Sequence, residues 1–254
     1  MHWGYWQEPP QSQISAEAEF PQATEALTQL LLQRAKPNDG DAILDVGCGL
    51  GGTIASLNEA WKDLKMTGLN IDKRQIERAR QRINPLPGNT INWLVGDAGA
   101  LPFAAESHDI VLAVECIFHF PSRDAFLAEA YRVLRPGGRL VLSDFVPIRA
   151  LAIWLRLLGK IRKRSTMSST YGPVDCSWDR IRYAKQGQLL GFDLVQDEDI
   201  TVNTLPTYPV VRKLFTAMGA ERASRETELI EQLSRWGWLH YRVITFSKPL
   251  KPER

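Results

Sequence analysis

The ten residues from Ile43 to Gly52, ILDVGCGLGG, join a short apolar run to four glycines and place a carboxylate, Asp45, two positions before the first of them. This stretch constrains the fold more than any other in the chain. An apolar run that ends in closely spaced glycines is a strand turning sharply toward a helix, because glycine accepts backbone angles that other residues resist and lets a small molecule lie against bare main chain. The segment that follows, Thr53 to Trp61, reads as that helix. Gly47, Gly49 and Gly52 also satisfy the spacing G-x-G-x-x-G, so a nicotinamide- or flavin-dependent oxidoreductase has to be weighed.

Asp45 shifts the balance between the two ligand classes. A carboxylate so close to a bound pyrophosphate would be repelled, whereas it suits a ligand that carries an ammonium and a sulfonium and no phosphate. The turn therefore favours S-adenosylmethionine. The segments downstream come in the order a nucleoside site needs. Strands are expected over Asp41 to Val46, Leu64 to Ile71, Thr90 to Val95 and His108 to Val114, and a helix over Lys73 to Arg82, whose apolar positions Ile76, Ala79 and Ile83 recur at three to four residues. In an open parallel sheet the ligand lies over the carboxyl ends of the strands. That rule puts Asn70 or Asp72 near a ribose and lets Asp97 accept from an exocyclic amine. Leu101 and Phe103 are expected to cover a base face, and Glu115 ends the fourth strand.

With these segments in view, the chain resembles the class I S-adenosylmethionine-dependent methyltransferases, within the small-molecule group of tocopherol, ubiquinone, sterol and sugar O-methyltransferases. The resemblance rests on MHWGYW, ILDVGCGLGG, TGLNIDKRQIERAR, VGDAGALPF and AVECIFHFPSRDAFLAEAYRVLRPGGRLVLSDF. It implies an α/β fold, a Rossmann-like, mostly parallel sheet of seven strands with helices on both faces and a helical insertion between strands five and six. It also implies roles residue by residue. Asp45, Gly47 and Gly49 would surround the methionine portion, Asn70 and Ile71 would meet ribose and adenine, and Asp97 with Ala98 would hold the adenine edge. Glu115 would sit at the mouth of the fourth strand, Gln75 would orient the loop before its helix, and Tyr5 in the H-x-G-Y-W segment would fold over the cofactor, ordering as it binds. Where many relatives carry Asp or Glu this chain has Asn70, which serves ribose hydroxyls without charge assistance.

The chemistry is expected where an acceptor reaches the methyl group. His119 lies four residues past Glu115, and Asp144 ends the fifth strand, LVLSDF. A histidine oriented by a carboxylate takes a proton from an attacking hydroxyl, which favours oxygen as the acceptor atom. His119 is therefore the candidate general base and Asp144 its orienting or acceptor-binding partner. The structural alternative is that His119 caps the helix expected from Ser122 to Leu134. Some relatives have a second histidine where this chain has Phe118, and positioning alone also speeds transfer from a sulfonium.

Beyond Phe145 the pattern changes to a helix from Ile148 to Ile161, a polar stretch, a helix from Ser177 to Leu190 and a sixth strand in GFDLVQDEDI. A helix from Thr227 to Arg235 and a last strand in WLHYRVITFSKP, entering antiparallel, complete the sheet. The expected organisation is a single methyltransferase domain over 1–254, with a lid segment and helix over 1–40, a cofactor-binding core over 41–146, a helical acceptor lid over 147–190 and closing elements over 191–254. Trp154, Tyr171, Trp178 and Tyr208 are candidates to line a pocket for a flat or lipophilic acceptor.

The net charge of +2 is too small to argue for nucleic acid, and the basic run Lys160 to Arg164 is short, reading as a solvated helix end. No apolar run approaches about 18 residues, so no integral membrane association is expected, and with no leader in view the expected location is cytoplasmic. The three cysteines lack zinc-ligand spacing, the four histidines form no metal motif, and no metal is expected. The expected partner is a small-molecule acceptor, its identity and the oligomeric state left open. N- or C-methylation, a NAD(P)-dependent oxidoreductase and a catalytically silent cofactor-binding subunit are the competing functions.

Overall fold

The computed structural model describes residues 3–161 and 175–251. Tyr171 and the basic residues from Arg162 to Arg164 lie outside the described residues. The elements run α1 (Gln13–Ala35), β1 (Ala42–Val46), α2 (Gly52–Ala60), β2 (Lys65–Asn70), α3 (Lys73–Arg82), β3 (Thr90–Val95) and β4 (His108–Ala113). A single 3-10 turn (Ile117–His119) leads to α4 (Arg123–Val133), β5 (Leu134–Pro147), α5 (Arg149–Ile161), α6 (Arg180–Leu190) and β6 (Asp193–Asp199). The chain closes with α7 (Thr201–Thr204), α8 (Thr207–Ala217), α9 (Glu221–Arg235) and β7 (Leu239–Ser247).

The seven strands form one sheet in the order β3-β2-β1-β4-β5-β7-β6. From β3 to β5 neighbours pair in parallel. All five residues of β1 are buried, Asp45 included, as a central parallel strand covered on both faces requires. Gly138 bonds to Lys248 while Ile148 bonds to Trp238, so β7 runs antiparallel to β5. The architecture is the Rossmann-like one that the family resemblance implies.

The chain divides into two compact units. One comprises Met1–Leu27, Asp144–Tyr183 and Glu198–Arg242, the other Thr28–Ser143, Ala184–Asp197 and Val243–Arg254. The second holds the glycine-rich turn. Two of its helices begin where side chains satisfy free N–H groups: Asp72 accepts from Arg74 N–H at 2.9 Å to start α3, and Ser122 accepts from Ala125 N–H at 3.1 Å to start α4. The RPGG segment after α4 is a bulge. The β4–β5 register jumps from His108 opposite Leu134 to Ile110 opposite Arg139. A Cβ at Gly138 would lie 2.8 Å from the Asp109 carbonyl oxygen. Lys248, pulled below the usual lysine range by burial, donates to the carbonyls of Tyr131 at 3.0 Å and Leu134 at 2.8 Å and so closes the end of α4.

In the first unit, Gly4 N–H and Trp6 Nε1–H both donate to Thr207 Oγ1 at 3.0 Å, and Tyr5 N–H donates to the Ala23 carbonyl at 2.8 Å. Trp6 and Asn203 exchange two further bonds of 2.8 Å, through Trp6 N–H and the Asn203 side-chain amide. Trp3 packs edge-on against Phe145 and Tyr208. The aromatic start is thus fastened to α1 and α7–α8 rather than left frayed.

Several boundaries differ from the sequence expectation. The helix expected from Ser177 starts at Arg180, because Asp179 Oδ1 accepts from Arg182 N–H at 2.8 Å and caps it. The helix expected from Thr227 starts at Glu221, and α7 and α8 were not anticipated at all. Pro206 and Pro209 fall at the cap and first turn of α8, where no intrahelical N–H bond is lost.

Candidate active site

The glycine-rich turn hangs on the end of β2. Gly47 and Cys48 N–H both donate to the Leu69 carbonyl, at 2.7 and 3.1 Å, and Gly51 N–H returns to the Cys48 carbonyl at 2.8 Å. Gly47, Gly49 and Gly51 all have positive φ, at 75°, 58° and 84°. Their surroundings differ. A Cβ on Gly47 would lie 2.6 Å from the Cys116 Cβ, and one on Gly51 would lie 2.5 Å from the Trp93 ring, so protein atoms fill both spaces. A Cβ on Gly49 would meet only Gln75 Oε1, at 3.7 Å. Gly49 is where the bare backbone faces space that the protein does not fill.

Asp45, 1% exposed, sits in β1 opposite Gly68 of β2 and Leu112 of β4. Burial, reinforced by the Asp45 charge, pushes the Cys48 thiol far above the ordinary range, so Cys48 is a protonated filler and no nucleophile. Cys116 Sγ–H donates to the Val46 carbonyl at 3.0 Å, tying the segment after β4 to the end of β1.

At the end of β2, Asn70 Nδ2–H donates to Gln75 Oε1 at 3.0 Å while its Oδ1 accepts from Asp72 N–H at 3.2 Å. Gln75 is therefore engaged with Asn70. Ile71 next to it is 71% exposed, unusual for so large an apolar side chain at a strand end. Asp72 is drawn below the usual carboxylate range by Arg74 and serves as the helix cap. The end of β3 is bonded to this group through Gly96 N–H and the Asn70 carbonyl at 3.1 Å. Beyond it Asp97 is exposed and accepts from Gly99 N–H at 2.8 Å, and Ala98 is buried. Glu115, half-buried, adopts φ of 52°, a left-handed conformation that costs a non-glycine residue on the order of 1 kcal/mol or more. Its N–H is held by Ser143 Oγ at 3.0 Å. The structure thus gathers Asp45, Gly47, Gly49, Asn70, Ile71, Gln75, Asp97, Ala98 and Glu115 at or just past the carboxyl ends of β1, β2, β3 and β4.

His119 ends the 3-10 turn with its side chain exposed and its ring edge-on to Phe118, centroids 4.5 Å apart. The helix-capping alternative falls to Ser122, which caps α4 instead. In the other unit, Asp144 has no exposed surface, and its Oδ2 accepts from the Tyr183 hydroxyl at 2.5 Å. Tyr183 was not singled out from the sequence. In RIRYAKQGQLL it reads as one more apolar position on a helix, and nothing local marks its hydroxyl as useful. Tyr5, half-buried, belongs to the same unit as Asp144.

Of the four aromatic residues expected to line an acceptor pocket, Trp154 is 56% exposed on α5. Trp178 and Tyr208 are buried, the first against Tyr183 and the second bonded through its hydroxyl to Ser234 Oγ at 2.9 Å. His240 pairs through Nδ1 with Asp199 Oδ2 at 2.7 Å, a structural contact at the end of β6. Among the described residues, no helix is long and apolar enough to cross a membrane.

A family described as a methyltransferase domain matches residues 44–142. A methyltransferase named GfsG from Streptomyces halstedii is 33% identical over 257 residues, covering 98% of this chain and 87% of that one. The O-methyltransferase cnsE of Penicillium expansum is 30% identical over 249 residues, covering 96% and 84%. Among solved structures, geranyl diphosphate C-methyltransferase from Streptomyces coelicolor A3(2), in complex with Mg2+, geranyl diphosphate and S-adenosyl-L-homocysteine, superposes with a TM-score of 0.76 at 17% identity, covering 98% of this chain and 91% of that one. The chain belongs to the class I S-adenosylmethionine-dependent methyltransferases, in the group that acts on small molecules.

Proposed function

We propose that this methyltransferase acts on a hydroxyl oxygen of a small, fairly apolar metabolite. The observation that carries the site assignment is the glycine-rich turn, whose main chain is open at Gly49 while the buried carboxylate of Asp45 stands two residues before Gly47. The oxygen preference draws on His119 and on the full-length likeness to an enzyme named as an O-methyltransferase.

S-adenosylmethionine supplies a methyl group activated on a sulfonium. Toward it, Asp45 offers a negative charge to the ammonium, and the Gly47–Gly49 main chain leaves room for the methionine portion. Asn70, held by Gln75, presents its amide to the ribose hydroxyls. The exposed side chain of Ile71 covers a face of the base, Asp97 with Ala98 meets the adenine edge, and Glu115 closes the mouth of β4. Tyr5 contributes a cap. The residues are neutral or anionic where the ligand is cationic, so the fit is electrostatic as well as steric. No metal is assigned a part.

His119 is proposed as the general base, its side chain exposed at the end of the 3-10 turn. Asp144 remains the proposed orienting or acceptor-binding partner of that base. The test is incubation with methyl-labelled S-adenosylmethionine and a panel of hydroxylated polyketides and terpenoids, followed by mapping of the labelled atom. His119→Ala should lower turnover at least about tenfold, in keeping with the roughly 10²–10⁴-fold contribution of a positioned base. Label on nitrogen or carbon would overturn the oxygen assignment, and undiminished turnover in the variant would leave positioning alone.

A further inference from the structure

We infer that the outward side of α5 is a docking surface for an anionic lipid bilayer, on which this methyltransferase lies without crossing it. The helix divides into two sides. Arg149, Ala150, Ile153, Trp154 and Leu157 are exposed and fall on one face by helical spacing, while Leu151, Ala152, Leu155 and Arg156 occupy the opposite face and are half-buried or buried. A helix that meets only water keeps its apolar stripe inward and its charges outward. Here the order is largely reversed. Ile153, Trp154 and Leu157 are 42%, 56% and 55% exposed, whereas Arg156 turns inward and pairs with Asp179 at 3.4 Å. A second exposed aromatic group stands beside the start of the helix. Ile148 N–H donates to the Trp238 carbonyl at 2.9 Å, and the exposed rings of Trp236 and Trp238 lie edge-on with centroids 5.9 Å apart. Tryptophan favours the boundary between water and lipid, where one part of the indole is wet and the rest is not.

Charge decides what covers this face. The sequence from Phe145 to Val174 carries six basic residues, Arg149, Arg156, Lys160, Arg162, Lys163 and Arg164, and no acidic one, in a chain whose net charge is only +2. Like charges of that density oppose a second copy laid face to face. They match a bilayer with anionic headgroups, in which the side chains of Ile153, Trp154 and Leu157 enter the acyl boundary while the cations meet phosphate.

The experiment is co-sedimentation of the full chain with vesicles of equal parts phosphatidylglycerol and phosphatidylcholine, and with vesicles of phosphatidylcholine alone. The chain should bind the anionic vesicles, at least about tenfold more tightly than the neutral ones, and about 0.5 M salt should weaken that binding. Ile153→Ser combined with Leu157→Ser should lower the partition coefficient at least about tenfold, with S-adenosylmethionine affinity, read by calorimetry, within about threefold of the parent. Should that variant fail to fold, Arg149→Glu keeps the apolar side and should weaken binding to the anionic vesicles at least about fivefold. No binding, equal binding to both kinds of vesicle, or parent-like binding by either variant would overturn the inference. Sedimentation equilibrium without vesicles tests the other occupant: a dimer that dissociates in the serine variant would make this face a contact between copies and overturn the inference as well.

Discussion

Alanine at Gly47 is expected to lower the melting temperature by roughly 5–15 °C and to remove measurable S-adenosylmethionine binding. Two costs add. A Cβ at φ of 75° costs roughly 1–2 kcal/mol, and forcing it into a filled space costs typically about 1–3 kcal/mol more. The Cys116 Cβ and Sγ that it would meet, at 2.6 and 2.7 Å, belong to a residue whose thiol is tied to the end of β1, so they have little freedom to retreat. Gly49→Ala is the control. Its Cβ meets only Gln75 Oε1 at 3.7 Å, so the free protein should lose only the conformational cost while cofactor affinity still falls. Differential scanning calorimetry separates the two variants. Equal melting temperatures for Gly47→Ala and the parent would mean that the turn is not packed as described.

Asn in place of Asp45 should weaken S-adenosylmethionine binding at least about 30-fold, because removing one member of a desolvated charge pair costs roughly 2–5 kcal/mol. Asn has nearly the same shape, so β1 should keep its register opposite Gly68 and Leu112. Isothermal titration calorimetry on the parent and the variant reads the difference directly, and circular dichroism checks the fold. Affinity within a factor of three would show that the carboxylate does not face the ammonium and would reopen the question of what the turn holds.

Much of the glycine-rich half of the fold could be read from the sequence, because its determinants are local. Gly47 and Gly49 announce themselves by spacing, Asp45 by its distance from them, α3 has the ends that its apolar period predicts, and β3 has the ends expected of the third strand. Contacts made across the fold were less legible. That Gly47 faces Cys116 while Gly49 faces open space depends on a segment seventy residues away, and no local rule distinguishes two glycines of the same run. The bond between Asn70 and Gln75 was suggested only as an orienting role for Gln75, and the geometry supplies its partner. Tyr183 escaped notice for the same reason. Its hydroxyl bonds to Asp144, which is 39 positions earlier in the chain. In the C-terminal part α7 and α8 were missed, the prolines at the cap and first turn of α8 being compatible with a helix start.

Trp93 makes contact with two of the glycines that shape this protein. Its indole lies where a Cβ of Gly51 would stand and, with the same ring, where a Cβ of Gly68 would stand, each at 2.5 Å. One aromatic plate on an outer strand thus props up the turn proposed to cradle the nucleoside. Shaving that plate would leave every ligand-facing atom chemically intact yet allow the cradle to sag, so tightness toward the methyl donor can be retuned from the rim of the sheet without touching a residue that meets it.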